Sequence, residues 1–448
     1  MVFVARGPES VADYRAMEIR FANPAGRWLF LFAILLASAT LTFLGGKNAL
    51  ADFYGESSRA DDWSRAARLE PGNADAWYRL ARYRELDFEH ADLPLAISLY
   101  RRALDVDPRS AFYWTDLANA YETAGDPASA REAFLMAKSV HPVSAQVAWR
   151  YGNFLLRQEQ LAEAFAEIHR AVTTDPKLAA LAISRCWRSS RDTERVLGQA
   201  MPATIAAYQA SLDFFVAEHE PDAALLVWKR MLALRSSFPF RHAFPFLDEL
   251  IQRGRVEEAR VAWGQALGIA GLPGQGYSSQ PSLVWDGGFE SELTNGGFGW
   301  RYQDLPGATV EFDTETRHSG VRSLRVTFDG SANLDFRHLM QLVPVEPNTR
   351  YRFTAFLRTK ELSTNSGIRF MVYPRNPQAA ALFTPNLVGT QPWTLAETEF
   401  ITSLETHLVE VILRRIPSQK LDNKIQGTVW VDDVSLRAVS PQAERPSP

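Results

Sequence analysis

A 34-residue period in the middle of the chain restricts its fold more than any other feature. Pro108, Pro142 and Pro176 are spaced by that interval, and each follows apolar and small residues at helical spacing. Proline lacks the backbone donor that a helix interior needs, so each proline indicates the end of a helix. Such periods are typical of stacked repeats, in which each unit buries its apolar face against its neighbours.

The residues between these prolines also repeat in kind. One unit contains Trp114, Leu117, Ala118, Tyr121, Ala130, Phe134 and Ala137, and the next contains Ala148, Tyr151, Gly152, Leu155, Ala164, Ile168 and Ala171. This pattern resembles the tetratricopeptide repeat, a helix–turn–helix unit of the same period. The resemblance covers residues 57–272, with weaker units over 205–236 and 240–273 and an irregular helical pair expected over 178–203.

The resemblance implies a concave groove, lined by the first helix of each pair, that binds a protein partner. Asn119 and Asn153 occupy the same repeat position, and stacked amides can each hydrogen-bond the main chain of an extended peptide. Trp149 and Arg157 complete the candidate peptide groove. The alternative interpretation is that these four residues are solvated positions on helix surfaces.

An apolar stretch near the N-terminus, over residues 28–46, predicts a transmembrane anchor or a signal segment. No charged residue lies between Arg27 and Lys47, and 18 helical residues span about 27 Å, close to the thickness of a hydrocarbon core. Residues 1–27 then form a cytoplasmic leader. Its four arginines, against Lys47 alone on the far side, predict a single pass through a bacterial inner membrane with the bulk of the chain in the periplasm.

A cleaved signal peptide is the alternative to an anchor. Ala49-Leu50-Ala51 has the small-x-small form of a cleavage site. Both alternatives export most of the chain, and the cleaved form would act at the cell surface.

The composition changes after residue 272. Residues 273–283 are rich in Gly, Pro and Ser, which predicts a linker. Period-two alternation follows, for example over residues 350–357, and eight or nine short strands predict a β-sandwich over residues 284–438. The last residues, 439–448, are predicted to be disordered.

Short motifs follow one another in this region in a recognisable order. Asp286-Gly287-Gly288-Phe289-Glu290 comes first, His318-Ser319-Gly320 precedes a strand, and Trp430-Val431-Asp432-Asp433-Val434 begins the last strand. This order resembles the jelly-roll carbohydrate-binding modules often attached to xylanases and glucanases. The expected fold class is therefore multidomain: an N-terminal transmembrane helix, an all-α tetratricopeptide solenoid and an all-β jelly-roll sandwich.

The second resemblance implies a glycan ligand and a structural calcium ion. Tyr302, Tyr373 and Trp393 are candidate sugar platforms with Arg369 as a polar partner; Phe383, Gln341 and Asn386 are further candidates. The alternative is that the aromatic rings belong to the core. Glu290 with Asp432 or Asp433, together with backbone carbonyls, would hold the calcium ion. The alternative is that these carboxylates are satisfied by backbone donors or exposed in turns.

Composition excludes several other functions. A formal net charge of −4 argues against a strongly basic nucleic-acid binder, and a single cysteine, Cys186, excludes a disulfide framework. The chain lacks GxSxG, P-loop and GxGxxG motifs, so we expect no enzyme. We expect a membrane-tethered periplasmic scaffold that binds a protein and a glycan in extracellular or capsular polysaccharide assembly or export. The alternative is a glycan-independent assembly factor for a secretion or cell-surface machine.

Overall fold

A computed structural model of the chain describes residues 24–57, 59–274, 282–376, 379–421 and 423–439. Most of the expected leader, residues 275–281 of the expected linker, and residues 440–448 of the expected tail lie outside the described residues. The chain divides into two compact units, residues 1–154 and residues 155–448.

The first unit is helical. Its helices are α1 (Pro24–Gly55), α2 (Ala60–Leu69), α3 (Ala74–Leu86), α4 (Leu93–Val106), α5 (Ala111–Thr123), α6 (Pro127–Val140) and α7 (Ala145–Arg157), the last of which crosses the unit boundary. Polar residues begin these helices: Ser110 accepts from the backbone N–H of Tyr113, and Asp126 accepts from that of Ser129. Such caps satisfy donors that the first helical turn leaves without a partner.

Two of the turns between repeats are closed by tryptophans. The indole Nε1 of Trp77 donates to the carbonyl of Pro71, and that of Trp114 donates to the carbonyl of Pro108, both at 3.0 Å. In each case the tryptophan stands six residues after the proline that ends the preceding helix. The two aligned positions therefore hold the same local structure, as the period predicts.

Helix α1 contains the predicted segment 28–46. It carries an 18-residue window of mean hydropathy 2.1 with none of that window buried, and by length and composition it fits a membrane span or a signal sequence. Its C-terminal end packs against the first repeat. Tyr54 contacts the cluster formed by Ala66, Ala67 and Ala76, and Arg79 donates to the carbonyl of Gly55 at 3.0 Å.

The second unit begins with further helices and ends in strands. The helices are α8 (Leu161–Thr174), α9 (Ala179–Ser190), α10 (Thr193–Gln199), α11 (Ile205–Ala217), α12 (Pro221–Ala233), α13 (Phe244–Gln252) and α14 (Val256–Ala270). The pairs α11–α12 and α13–α14 fall on the two weaker repeat units. The seven-residue α10 makes the pair over 178–203 irregular.

Two antiparallel five-stranded sheets follow. Their strands are β1 (Arg301–Tyr302), β2 (Ala308–Asp313), β3 (Ser323–Asp329), β4 (Phe336–Pro344), β5 (Arg350–Leu362), β6 (Arg369–Pro374), β7 (Leu382–Phe383), β8 (Gly389–Ile401), β9 (Leu408–Arg415) and β10 (Gln426–Ala438). The order is β1-β4-β9-β6-β7 in the first sheet and β2-β3-β10-β5-β8 in the second sheet.

The interior of the sandwich collects the inward half of each alternating strand. Tyr351, Phe353, Ala355 and Leu357 all belong to one buried cluster, together with residues from both sheets. Because successive side chains in a strand point to opposite faces, their neighbours along β5 lie on the outer surface. The predicted order of helical repeats followed by a β-sandwich is confirmed.

Candidate functional sites

The outer face of the first sheet, which points away from the sandwich core, carries the densest group of predicted site residues. Phe370 and Val372 of β6 belong to the core, so Arg369, Met371 and Tyr373 lie on the opposite face. Phe383 of β7 pairs with Met371 and is 40% exposed. The guanidinium of Arg369 lies over the Phe383 ring, 5.2 Å from its centroid.

An apolar row crosses this face from one edge of the sheet to the other. Phe383 pairs with Met371, Met371 with Ile412, Ile412 with Met340 and Met340 with Arg301. The apolar part of the row, from Phe383 to Met340, covers three inter-strand steps, about 14 Å. Ile412 in its middle is buried, with 6% exposure. A half-buried tyrosine, Tyr373, lies beside the row and pairs with Glu410 of β9.

Among the described residues, three polar atoms in this region are buried without a hydrogen-bond partner. They are Nε of Arg369, Oδ1 of Asn386 and, at the far end of the row, Nε of Arg301. Asn386 stands next to Leu387, which forms an isolated bridge with Ile368. Unpartnered buried polar atoms are costly in a folded protein.

Three other sequence candidates do not reach this face. Tyr302 pairs with Leu339 and packs against the sandwich core. Trp393 lies on β8 of the second sheet, where His318 approaches its ring at 5.6 Å. Gln341 is fully buried and exchanges two hydrogen bonds with the backbone of Trp285, which makes it a support for that segment.

The acidic residues near the first and last strands separate into two groups. A Cβ added at Gly288 would lie 3.8 Å from both Asp432 Oδ1 and Glu290 Oε1, and Glu290 Oε1 accepts the backbone N–H of Val321 at 2.9 Å. Asp433 points elsewhere: its Oδ2 contacts His318 Nδ1 at 2.6 Å, and its Oδ1 accepts from the Ser319 hydroxyl.

Asp432 is fully buried. Its carboxylate accepts backbone N–H groups from His318, Ser319 and Asp433. Burial nevertheless raises its pKa to about 6, because these donors do not offset the loss of solvation. No cluster of three or more His, Cys, Asp or Glu side chains suited to a metal occurs among the described residues. Any calcium ion here would depend on Glu290, Asp432 and backbone carbonyls.

The helical groove candidates lie on α5 and α7, the first helices of two consecutive repeats. Asn119 is half-buried on α5, whereas Asn153 is buried on α7 and donates to the carbonyl of Trp149 at 2.6 Å. The amide of Asn153 is therefore engaged with its own helix. Arg157 ends α7 in the second unit.

A buried polar network that the sequence analysis missed connects three helices of the first unit. Asp116 on α5 accepts from the Tyr78 hydroxyl of α3 at 2.7 Å and from Arg150 of α7 at 2.5 Å. Burial, together with the Asp116 charge, raises the pKa of Tyr78. Asp116 and Arg150 stand 34 residues apart with opposite charges, and this spacing was a signal that could have found them.

Comparison with known sequences addresses the helical part. The sequence model of the tetratricopeptide repeat family matches residues 85–139 and 115–179. The chain contains tetratricopeptide repeats. No curated protein sequence matches the chain significantly.

Solved structures resemble separate parts of the chain. A Pseudomonas aeruginosa PilF structure is 17% identical and covers 42% of this chain and 93% of its own, with a TM-score of 0.30. A family 16 carbohydrate-binding module is 18% identical and covers 35% and 99%, with a TM-score of 0.25. A xylan-binding domain from Paenibacillus barcinonensis is 16% identical and covers 32% and 86%, with a TM-score of 0.22.

Proposed function

We propose that this protein is a membrane-tethered scaffold that holds a protein partner in its repeats and a glycan on its β-sandwich. Its proposed setting is the assembly or export of an extracellular or capsular polysaccharide in the bacterial envelope. One observation carries the glycan assignment: Phe383, which is 40% exposed, lies on a face that also presents Arg369 and Tyr373.

The chemistry of that face suits a sugar. A pyranose ring offers an apolar face that packs on an aromatic ring, and hydroxyls that both donate and accept hydrogen bonds. Phe383 and Tyr373 supply rings, Arg369 supplies a donor, and Asn386 supplies an acceptor close by in the chain.

The proposed protein partner would bind the helical repeats. Phe112 on α5 is 40% exposed although it packs against Tyr78, and Asn119 follows two turns later on the same helix. An exposed ring beside an amide is a common basis for peptide recognition. The ring buries apolar surface of the peptide, and the amide hydrogen-bonds the peptide main chain.

We further propose that α1 is retained as the membrane anchor. The cleavage motif ends at Ala51, which is fully buried, and the next turn holds Tyr54 against the first repeat. Cleavage at this point would divide a helix that packs as part of the first unit. The intact mass of the protein extracted from membranes tests whether α1 is retained. We expect the mass of a chain that includes α1, and the mass of a chain that begins at Asp52 would contradict the proposal.

The glycan proposal is tested with the full-length chain in detergent, because the sandwich contacts α13 and α14. We would measure its retardation in native gels that contain xylan, β-glucan or bacterial exopolysaccharides. Tyr373→Ala and Phe383→Ala should each weaken retardation about tenfold or more, as expected when a true ring platform is lost. Trp393→Ala is the matched control, since Trp393 lies on the other sheet and should have no effect.

If the folded chain binds none of these polysaccharides, the glycan assignment is wrong. If Phe112→Ala or Asn119→Ala then abolishes capture of a partner, the repeats alone carry function, as in the alternative of a glycan-independent assembly factor.

A further inference from the structure

The second sheet of the sandwich ends in a long strand with an open edge. Strand β8 has 13 residues, and among the described strands it pairs only with β5, on one side. The edge strands of the first sheet, β1 and β7, have two residues each, and the other edge of the second sheet, β2, has six. Within the described part of the sandwich, β8 is therefore the longest row of backbone groups that a further strand can join.

The hydrogen bonds at the end of β5 show which residues of β8 bond to it. The N–H of Thr402 donates to the carbonyl of Thr349 at 3.0 Å, one step beyond the end of the β5–β8 ladder. From the other side of β5, the N–H of Val439 donates to the carbonyl of Arg350. Hydrogen-bonded pairs alternate in an antiparallel ladder, so the even-numbered residues of β8 from 394 to 400 bond to β5.

The odd-numbered residues from 395 to 401 therefore present their N–H and C=O groups at the open edge. Their side chains lie on the outer face of the sheet, because Ala396 and Phe400 belong to the core. Among the described residues, no group outside β5 forms a hydrogen bond with the main chain of residues 395–401. Four residues in a row thus offer a donor and an acceptor to a neighbouring strand.

The outer side chains along this edge are apolar at both ends and acidic in the middle. Leu395 is 44% exposed and Ile401 is 60% exposed. Glu399 pairs with Arg352 at 2.5 Å. Glu397 is exposed and forms no ion pair with any described residue. The edge therefore carries one uncompensated negative charge between two apolar side chains.

The charge of Glu397 determines which kind of strand can pair here. A second copy of this chain, aligned antiparallel along the whole of residues 395–401, would place Glu397 directly opposite Glu399. Like charges directly opposite each other destabilise a sheet, whereas opposite charges stabilise it. The edge therefore disfavours its own copy and favours a strand with a basic side chain.

We propose that the open edge of β8 binds an extended segment of a protein partner by strand addition. The segment carries a lysine or arginine opposite Glu397 and apolar residues opposite Leu395 and Ile401. In this mode of recognition main-chain hydrogen bonds provide the affinity, and alternate side chains provide the specificity. The proposal does not depend on glycan binding, which is assigned to the first sheet.

The test uses two labelled hairpin peptides that differ in one residue. In the first, the strand Val-Thr-Thr-Thr-Lys-Thr-Val is held extended by a second strand joined through an Asn-Gly turn. Antiparallel to β8, with its first valine opposite Ile401, this strand places its lysine opposite Glu397. The second peptide has glutamate in place of the lysine. Fluorescence anisotropy with the full-length chain in detergent should show at least threefold tighter binding of the lysine peptide, since an attractive cross-strand pair replaces a repulsive one.

Variants locate the binding. Glu397→Lys should reverse the preference between the two peptides. Glu311→Lys is the matched control, because Glu311 is an exposed glutamate on β2, at the opposite edge of the same sheet, and its reversal should leave the preference unchanged. Leu395→Pro removes an N–H at the open edge and should abolish binding with little loss of stability, whereas Thr398→Pro removes a bond to β5 and should lower the unfolding temperature.

The remaining outcomes overturn the proposal. Binding of neither peptide by the folded chain shows that the edge accepts no strand of this kind. Equal binding of both peptides, or a lysine preference that survives Glu397→Lys, shows that Glu397 does not select the segment. Self-association of the unaltered chain that Leu395→Pro abolishes would show that a second copy occupies the edge. Thermal unfolding of each variant confirms that the chain is folded.

Discussion

Asp248 of the last helical pair forms a two-pronged ion pair with Arg301 of the first strand. The contacts are 2.5 Å between Asp248 Oδ1 and Arg301 Nη2, and 3.3 Å between Oδ2 and Nη1. The backbone N–H of Gly297 also donates to Asp248 Oδ1. Nearby, Trp263 of α14 contacts Trp285 edge to face at 5.6 Å.

These contacts make the sandwich a cover for the last repeat. A stack of repeats needs a terminal element that shields its last apolar face from water. Trp285 and Phe298 of the sandwich segment provide that shield by packing on Trp263. We therefore expect the isolated sandwich to expose apolar surface, and binding experiments should keep α13 and α14.

The ion pair at this junction should be energetically coupled. A double-mutant cycle of Asp248→Ala and Arg301→Ala should give a coupling on the order of 1 kcal/mol in the unfolding free energy of the second unit, because both side chains are mostly shielded from water. The exposed pair Arg352–Glu399 should give a smaller coupling. Additive effects at Asp248 and Arg301 would show that the pair does not hold the junction. Urea unfolding followed by tryptophan fluorescence measures both cycles.

Gly297 should tolerate no side chain. Its φ is +54°, and a Cβ there would lie 2.6 Å from the Trp263 ring. Gly297→Ala should therefore cost about 2–4 kcal/mol of unfolding free energy, from backbone strain together with overpacking. Gly389 is the matched control: its φ is +65° but the space around it is open, so Gly389→Ala should cost only about 1 kcal/mol. Equal losses in urea unfolding would mean that the contact with Trp263 is unimportant.

Arg415 should be the most sensitive charged residue of the sandwich. It is fully buried, burial lowers its pKa, and its guanidinium donates to the carbonyls of Leu334, Ser366 and Asn423. Arg415→Met should cost about 3 kcal/mol or more, because several buried carbonyls lose their donors together. Thermal unfolding measures this.

The control for Arg415 is Arg337, an exposed arginine on β4. Arg337→Met should leave the unfolding temperature nearly unchanged, since that side chain is exposed. A similar stability of the two variants would show that water replaces the guanidinium of Arg415 without cost.

Calcium should stabilise the sandwich if Glu290 and Asp432 hold it. We expect millimolar calcium to raise the unfolding temperature, a chelator to reverse the rise, and Asp432→Asn to abolish it. Asp433→Asn should keep the response, because the Asp433 carboxylate turns away from Glu290 towards the side chains of His318 and Ser319. If calcium does not change the unfolding temperature of the unaltered chain, the expectation of a structural calcium ion is wrong.

Local patterns in the sequence predicted the elements and their order. The prolines spaced by 34 residues fall at helix ends, and the alternation over residues 350–357 becomes strand β5 with its odd-numbered residues in the core. These patterns are readable because helix and strand each expose one side to water with a short, regular period.

The candidate sites depended on pairings that no local pattern contains. Tyr302 and Tyr373 both stand in alternating strands, yet only strand register turns Tyr373 outward and Tyr302 against the core. Trp393 and Tyr373 are both candidate sugar platforms in the sequence, but Trp393 lies in the second sheet and Tyr373 in the first.

The sequence by itself determined the repeats, the apolar helix, the strands and their order along the chain. The tertiary structure alone decided that Arg369 and Arg414 are cross-strand partners, that Asp116 meets Arg150 and that Asp248 meets Arg301. The physical reason is the separation along the chain of the residues that interact. A periodic pattern reflects which side of a helix or strand contacts water. The register between strands and the contacts between helices depend instead on packing between segments that are distant in sequence.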